Sequence, residues 1–275
     1  MEDSECVQFL RWALPRLHMQ WSGYRKVRSQ VCKRISRRLN QLNIDNIAAY
    51  QACLEQHPQE WDVLDALSRV TISRFYRDKA MFVFLESEVL PALAQQALNR
   101  HSDHLRVWCI GSSSGEEPYT IALIWRLQLQ SQFPHLRLEI IATEIESNMN
   151  QRAKVACYQF SSIKNLPADW RKQVFNQEDD VFCLKPEYCR DVHFIEQDIR
   201  EELPPASFDL ALCRNLVFTY FDEVLQGKIL DHMRDLILPN GALVIGIHED
   251  LPENAEGLGV WSDRLRIFRK DIEAK

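Results

Sequence analysis

The stretch R-V-W-C-I-G-S-S-S-G-E-E-P-Y-T-I-A-L-I, residues 106–124, decides how this chain of 275 residues is read. An apolar run at 105–110 ends at Gly111. Three serines and Gly115 follow, and Glu116, Glu117 and Pro118 open a helical segment reaching 131. Small residues let a ligand approach the backbone closely, and a helix N-terminus offers unpaired N–H groups. Pro118 suits the first helical turn, where its missing donor costs nothing. A phosphate-binding loop would carry a lysine here. Two carboxylates stand there instead, which argues against phosphate and for a ligand bearing an ammonium group or hydroxyls.

Working outward, runs at 105–110, 138–143, 192–197, 208–213 and 242–247 read as strands and alternate with helical segments at 116–131, 146–157 and 222–237. That alternation predicts an α/β fold with a doubly wound, mostly parallel sheet. A helix at 80–98, carrying Phe82, Leu85, Val89 and Leu93, precedes the sheet, and L-R-I-F-R at 265–269 is expected to return antiparallel at its edge. The pattern lapses into a polar stretch at 158–191 whose one apolar patch, 181–184, suggests a small β insert.

Residues 1–68 read as helical throughout. Val7, Leu10, Leu14 and Leu17 recur at helical spacing, as do Val27, Val31, Ile35, Leu39 and Leu42. A third helix is expected after an N-cap at Asp45, through Ile47, Tyr50 and Leu54, and a fourth from Glu60 through Val63, Leu64 and Leu67. The expected organisation is a small all-helical domain at 1–68 and an α/β domain at 69–275.

A composition 46% hydrophobic and 26% charged is that of an ordinary globular protein. The net charge of −6 speaks against a nucleic-acid partner. The acidic start M-E-D-S-E-C is no signal peptide, and no apolar run approaches the roughly 18 to 20 residues of a membrane span, so a cytoplasmic protein without membrane insertion is expected. The eight cysteines form no C-x-x-C pair or zinc-spaced cluster, so no metal site is expected and the thiols are read as reduced and mostly buried. One local surplus stands out: 11–38 holds Arg16, Arg25, Lys26, Arg28, Lys33, Arg34, Arg37 and Arg38 with no acid among them. The run at 25–38 is either a solvated face or a docking surface for an acidic partner.

Ligands of doubly wound sheets lie beyond the carboxyl ends of the strands. Those ends are 111–117, 143–146, Asp198 with Ile199, and Arg214 with Asn215. Glu144 is placed to accept hydrogen bonds from both ribose hydroxyls of a nucleoside, and Asp198 to receive the exocyclic amine of an adenine. The acidic helix start and the absence of G-x-G-x-x-G shift the expected ligand from a dinucleotide to S-adenosylmethionine, whose ammonium and sulfonium are cationic.

Five motifs in order carry a family resemblance. They are T-I-S-R-F-Y-R-D at 71–78, similar to N-L-T-x-F-F-R-E; R-V-W-C-I-G-S-S-S-G-E-E-P-Y-T at 106–120; A-T-E-I-E at 142–146, similar to A-T-D-I-D; F-D-L-A-L-C-R-N at 208–215; and L-P-N-G-A-L-V-I-G at 238–246. Together they resemble the CheR-type chemotaxis receptor methyltransferases, of which this chain looks like a divergent member. The resemblance implies a two-domain S-adenosylmethionine-dependent enzyme that esterifies glutamate side chains of chemoreceptor helices and releases S-adenosylhomocysteine. It implies cofactor contacts at Thr71, Ser73 and Arg77, at the loop residues Gly111, Gly115 and Glu116, at Glu144 on the ribose, at Asp198 and Ile199 around the adenine, and at Arg214 and Asn215 beside the sulfonium. It also implies an acidic helical receptor docking on 25–38.

For catalysis, Arg77 is expected to orient a carboxylate, and Tyr220, with Tyr119, to line the methyl pocket. Departures fall on the acceptor side. L-V-F-T-Y-F-D at 216–222 is one residue longer than the family's V-x-I-Y-F; Gly246-Ile247-His248-Glu249 replaces G-H-S-E; Thr71 stands for Asn. Two alternatives therefore stay open. One is a small-molecule O- or S-methyltransferase with His248 as base; the other is a non-catalytic module that binds the cofactor or a receptor.

Overall fold

The computed structural model describes residues 2–253 and 255–271. It divides into two compact units: Met1–Thr71 with Leu216–Gln226, and Ile72–Asn215 with Gly227–Lys275.

The first unit is built on helices Asp3–Ala13, Arg28–Leu42, Ile47–Gln56 and Gln59–Ser68. Asp3–Ala13 begins with a capping box: Glu2 N donates to Glu5 Oε2 at 3.0 Å, and the first-turn acids suit the positive end of the helix dipole. Its face Cys6, Phe9, Leu10 and Ala13 is buried, as is the Val31, Ile35, Leu39 stripe of Arg28–Leu42, one residue per turn. The third helix is capped by Asn46 rather than by Asp45. Asn46 stands directly before Ile47, and its side-chain oxygen accepts the N–H of Ala49 at 2.9 Å, the N-cap-to-N3 bond. Inside the unit, Glu60 accepts a fork from Arg38 at 2.9 and 2.7 Å and the hydroxyl of Tyr50 at 2.9 Å. The Arg38 guanidinium holds the Glu60 carboxyl below its usual range. Leu216–Gln226 joins this unit: Gln20 N donates to Tyr220 O at 2.8 Å, and Asp222 N to His18 O at 2.8 Å.

The second unit carries strands β1 (His104–Ile110), β2 (Arg137–Glu144), β3 (Cys157–Gln159), β4 (Phe175–Glu178), β5 (Val181–Leu184), β6 (Val192–Glu196), β7 (Phe208–Cys213), β8 (Ile237–Ile245), β9 (Leu258–Ser262) and β10 (Ile267–Lys270). Seven of them form one sheet in the order β6-β2-β1-β7-β8-β10-β9, parallel from β6 through β8. β7 is buried at every residue, the signature of a parallel strand covered on both faces. β10 is antiparallel as expected, but it lies between β8 and β9 rather than at the edge. β9 takes the edge, and its sequence L-G-V-W-S has too little alternation to announce it. The insert folds as a three-stranded antiparallel sheet, β3-β5-β4, with the apolar patch at its centre. From β1 the chain winds to β2 and β6 on one side, then returns to β7 on the other. The order therefore reverses at β1, which opens the crevice for a ligand at its carboxyl end.

Not all eight cysteines are reduced. Cys6 is bonded to Cys32 and Cys157 to Cys183, while Cys53, Cys109, Cys189 and Cys213 stand outside these two disulfides. Each bonded pair is 26 residues apart in sequence and meets only through the fold, Cys157 lying directly across from Cys183 in the β3–β5 pair. Among the described residues no helix is long and apolar enough to cross a membrane.

Candidate cofactor and active site

The loop after β1 takes its shape from three left-handed residues, Gly111 (φ 68°), Ser113 (φ 50°) and Gly115 (φ 91°). At Gly115 a Cβ would also stand 3.0 Å from Ala153 Cβ and 3.1 Å from the rings of Phe194 and Tyr119, so glycine is required there for conformation and for space. The loop amides are already engaged. Gly111 N and Ser112 N donate to Thr143 O at 2.9 and 3.0 Å, and Ser113 N donates to Glu144 Oε2 at 2.8 Å. These three N–H groups are turned into the end of β2 and are not offered to a ligand.

Two buried carboxylates face this loop. Glu144 accepts from Ser113 N and from Glu146 N at 3.0 Å, while Asn150 Nδ2 holds its carbonyl at 2.8 Å. Glu116 accepts the hydroxyl of Ser114 at 2.9 Å and that of Ser73. They are 6% and 2% exposed, and neither is in an ion pair among the described residues, so burial pushes both carboxyls above their ordinary range. Nearby, Ser112 Oγ, Ser113 Oγ and Gln197 Oε1 are buried without a hydrogen-bond partner among the described residues. Buried carboxylates in no ion pair among the described residues, beside hydroxyl and amide groups left without partners, fit a ligand that brings a cation, hydroxyls and an amine, as S-adenosylmethionine does. Gln197 escaped the sequence reading because an amide at a strand end has no motif of its own.

Beyond β6, Asp198 is held by Arg200 through its backbone N–H at 2.9 Å, Nε at 3.0 Å and Nη2 at 2.7 Å, and Ile199 beside it is buried. Beyond β7, Arg214 lies between Glu117, at 2.6 Å, and Asp78, at 2.5 Å, with its guanidinium over the Phe82 ring. Its charge is matched within the protein. Glu117 is half of this clamp, and burial raises its carboxyl even with Arg214 beside it.

Arg77 differs from Arg214. Its Nη1 donates to Ile72 O at 2.9 Å and its Nη2 to Asn215 Oδ1 at 3.1 Å, and it is in no ion pair among the described residues. Asn215, at φ 56°, donates its own N–H to Glu249 Oε2 at 2.9 Å. Glu249 is buried at 4% exposure, whereas its neighbour His248, the sequence candidate for a base, is exposed. Tyr119 is fully buried, its hydroxyl donating to Ala153 O at 2.9 Å; it packs rather than lining a pocket. The second unit thus brings together Ser73, Arg77, Gly111, Gly115, Glu116, Glu144, Asp198, Ile199, Arg214 and Asn215. Thr71 closes the first unit, where Tyr220 stands edge-on to Tyr24 at 5.1 Å.

In the basic run of the first unit the cations separate into two groups. Arg28 pairs with Asp3, Arg34 donates to the carbonyls of Leu67 and Arg69, and Arg38 forks onto Glu60. Arg25, Lys26, Lys33 and Arg37 are exposed and in no ion pair among the described residues.

Two family models match this sequence: the CheR methyltransferase, SAM binding domain, over 71–264, and the CheR methyltransferase, all-alpha domain, over 8–66. The Chemotaxis protein methyltransferase of Borreliella burgdorferi is 30% identical over 226 residues, covering 80% of each chain. That of Salmonella typhimurium is 29% identical over 252 residues, 89% of this chain and 83% of that protein. The Escherichia coli protein is 29% identical over 231 residues, 81% and 77%.

Proposed function

The chain belongs to the CheR methyltransferase family of S-adenosylmethionine-dependent enzymes, and from that premise we propose that it methylates glutamate carboxylates on an acidic, helical, chemoreceptor-like protein. The observation that carries this reading is Arg77: Arg200 and Arg214 are paired with acids, whereas the Arg77 guanidinium, in no ion pair among the described residues, is held by two neutral oxygens, Ile72 O and Asn215 Oδ1. A tethered cation of this kind receives an acceptor carboxylate through its remaining N–H groups.

When bound, the cofactor supplies a methyl group made electrophilic by its sulfonium. Glu144 holds the ribose hydroxyls; Gln197, Asp198 and Ile199 surround the adenine; Glu116, oriented by Ser73 and Ser114, meets the ammonium. A glutamate has an ordinary pKa of about 4.3, so the nucleophile is ionised at neutral pH and needs no base. What remains is alignment, worth roughly 7 to 11 kcal/mol when a near-attack geometry is held. An exposed His248 is consistent with that economy.

Docking rests on Arg25, Lys26, Lys33 and Arg37. Lys33 and Arg37, one turn apart, share a helix face. The test is to incubate the protein with S-adenosylmethionine and an acidic helical-bundle receptor fragment and to map the product by tandem mass spectrometry. One methyl mass on glutamate, lost in mild base, supports the reading; a methyl on another residue type rejects it.

A further inference from the structure

We infer that Glu249 is a positioning residue for methyl transfer, setting Asn215 and, through Asn215, the guanidinium of Arg77; the inference rests on the role proposed for Arg77. Asn215 follows Arg214 at the carboxyl end of β7 with φ 56°, a left-handed conformation that asparagine reaches more readily than most residues with a side chain but that its surroundings still have to select. Something must hold it there. Oε2 of Glu249 accepts the N–H of Asn215 at 2.9 Å and the N–H of Gly246 at 2.5 Å. Gly246 follows β8, so one buried carboxylate ties together the ends of two adjacent parallel strands. The strand end is shaped around this group: a Cβ on Gly246 would stand 2.6 Å from the same Oε2.

The conformation so fixed turns the Asn215 side chain toward Arg77, whose Nη2 it accepts at 3.1 Å. Arg77 is held from its other side by Ile72 O, and its own carbonyl accepts from Arg214 Nη2 at 3.2 Å. Glu249 therefore bears on the acceptor-orienting cation without touching it. Charge-assisted bonds to backbone N–H groups are about twice as strong as neutral ones, which suits a carboxylate to this task.

A double-mutant cycle tests the inference. Glu249→Gln, Arg77→Ala and the double variant are compared for kcat/KM toward the acceptor at saturating cofactor, for S-adenosylhomocysteine affinity by calorimetry, and for thermal midpoint. Glu249→Gln should lower kcat/KM about tenfold in the wild-type background and less than about twofold where Arg77 is already alanine, because coupled residues are non-additive. If Glu249→Gln does not fold, Glu249→Asp, whose shorter side chain withdraws the carboxylate from Asn215 N, takes its place in the cycle with the same expectation. Equal losses in both backgrounds, or unchanged kinetics, overturn the inference and assign Glu249 to stability alone. A wild-type protein that binds S-adenosylhomocysteine yet methylates no carboxylate overturns the proposed function, and this inference with it.

Discussion

Ser113 N donates to Glu144 Oε2 at 2.8 Å, so the acid at the end of β2 is at once a candidate ribose ligand and the strut that closes the loop after β1. Glu144→Ala should therefore act twice. It leaves a buried N–H without an acceptor, at a cost of about 1 to 3 kcal/mol of stability. It should also weaken S-adenosylhomocysteine binding at least about 30-fold, roughly 2 kcal/mol. Calorimetry with thermal unfolding separates the two effects, and unchanged affinity would sink the ribose assignment.

The raised carboxyls of Glu116 and Glu144 set a pH dependence with opposite signs for stability and binding. A carboxyl raised in the folded state favours protonated, folded protein, so these groups stabilise the ligand-free protein at low pH and that contribution is lost as pH rises through their raised values. The cofactor's ammonium needs the ionised form. Affinity should be highest near neutral pH, where the carboxyls are ionised and the ammonium still protonated, and should weaken on acidification already above the ordinary carboxylate value of about 4.3. Glu116→Gln should weaken binding and flatten this profile. An equally steep profile in the variant would show that Glu116 is not the group titrating.

Charge reversal on the basic helix should give two distinct outcomes. Lys33→Glu with Arg37→Glu removes exposed cations that are in no ion pair among the described residues, and should reduce acceptor binding while stability and cofactor affinity stay within about 0.5 kcal/mol. Arg38→Glu places an acid against buried Glu60 and should cost about 3 kcal/mol or more. If the Lys33 and Arg37 variant binds an acidic receptor fragment as the wild type does, that face is only solvated.

Alkylation under denaturing conditions should label four cysteines without reductant and eight with it, counted by intact mass. In the chain-entropy account, a loop of this length is worth about 3 to 4 kcal/mol per bond, so reduction should lower the unfolding midpoint. Eight labels without reductant would restore the all-thiol reading.

What the sequence made legible follows from where the information is local. The glycine loop and its acids, the strand–helix alternation and the stripe Val31, Ile35, Leu39 are consecutive or periodic patterns, and each appears in the structure as a loop, a sheet or a buried helix face. The Arg214 clamp joins Asp78, Glu117 and Arg214, far apart in sequence, and nothing near any one of them names the others. Distance hid both cysteine pairs in the same way. His248 drew attention as the residue with familiar acid–base chemistry, while its neighbour Glu249, turned inward onto Asn215 and Gly246, holds the strand ends. Burial decides between adjacent residues, and a single sequence does not print it.

The central claim is that the methyl group goes to a carboxylate. The direct measurement is transfer from methyl-labelled S-adenosylmethionine to an acidic receptor fragment, followed by mild base and collection of the volatile fraction. Label recovered as methanol, strongly reduced but still measurable in Arg77→Ala, is the predicted result; label that stays on the acceptor through base would contradict carboxylate methylation.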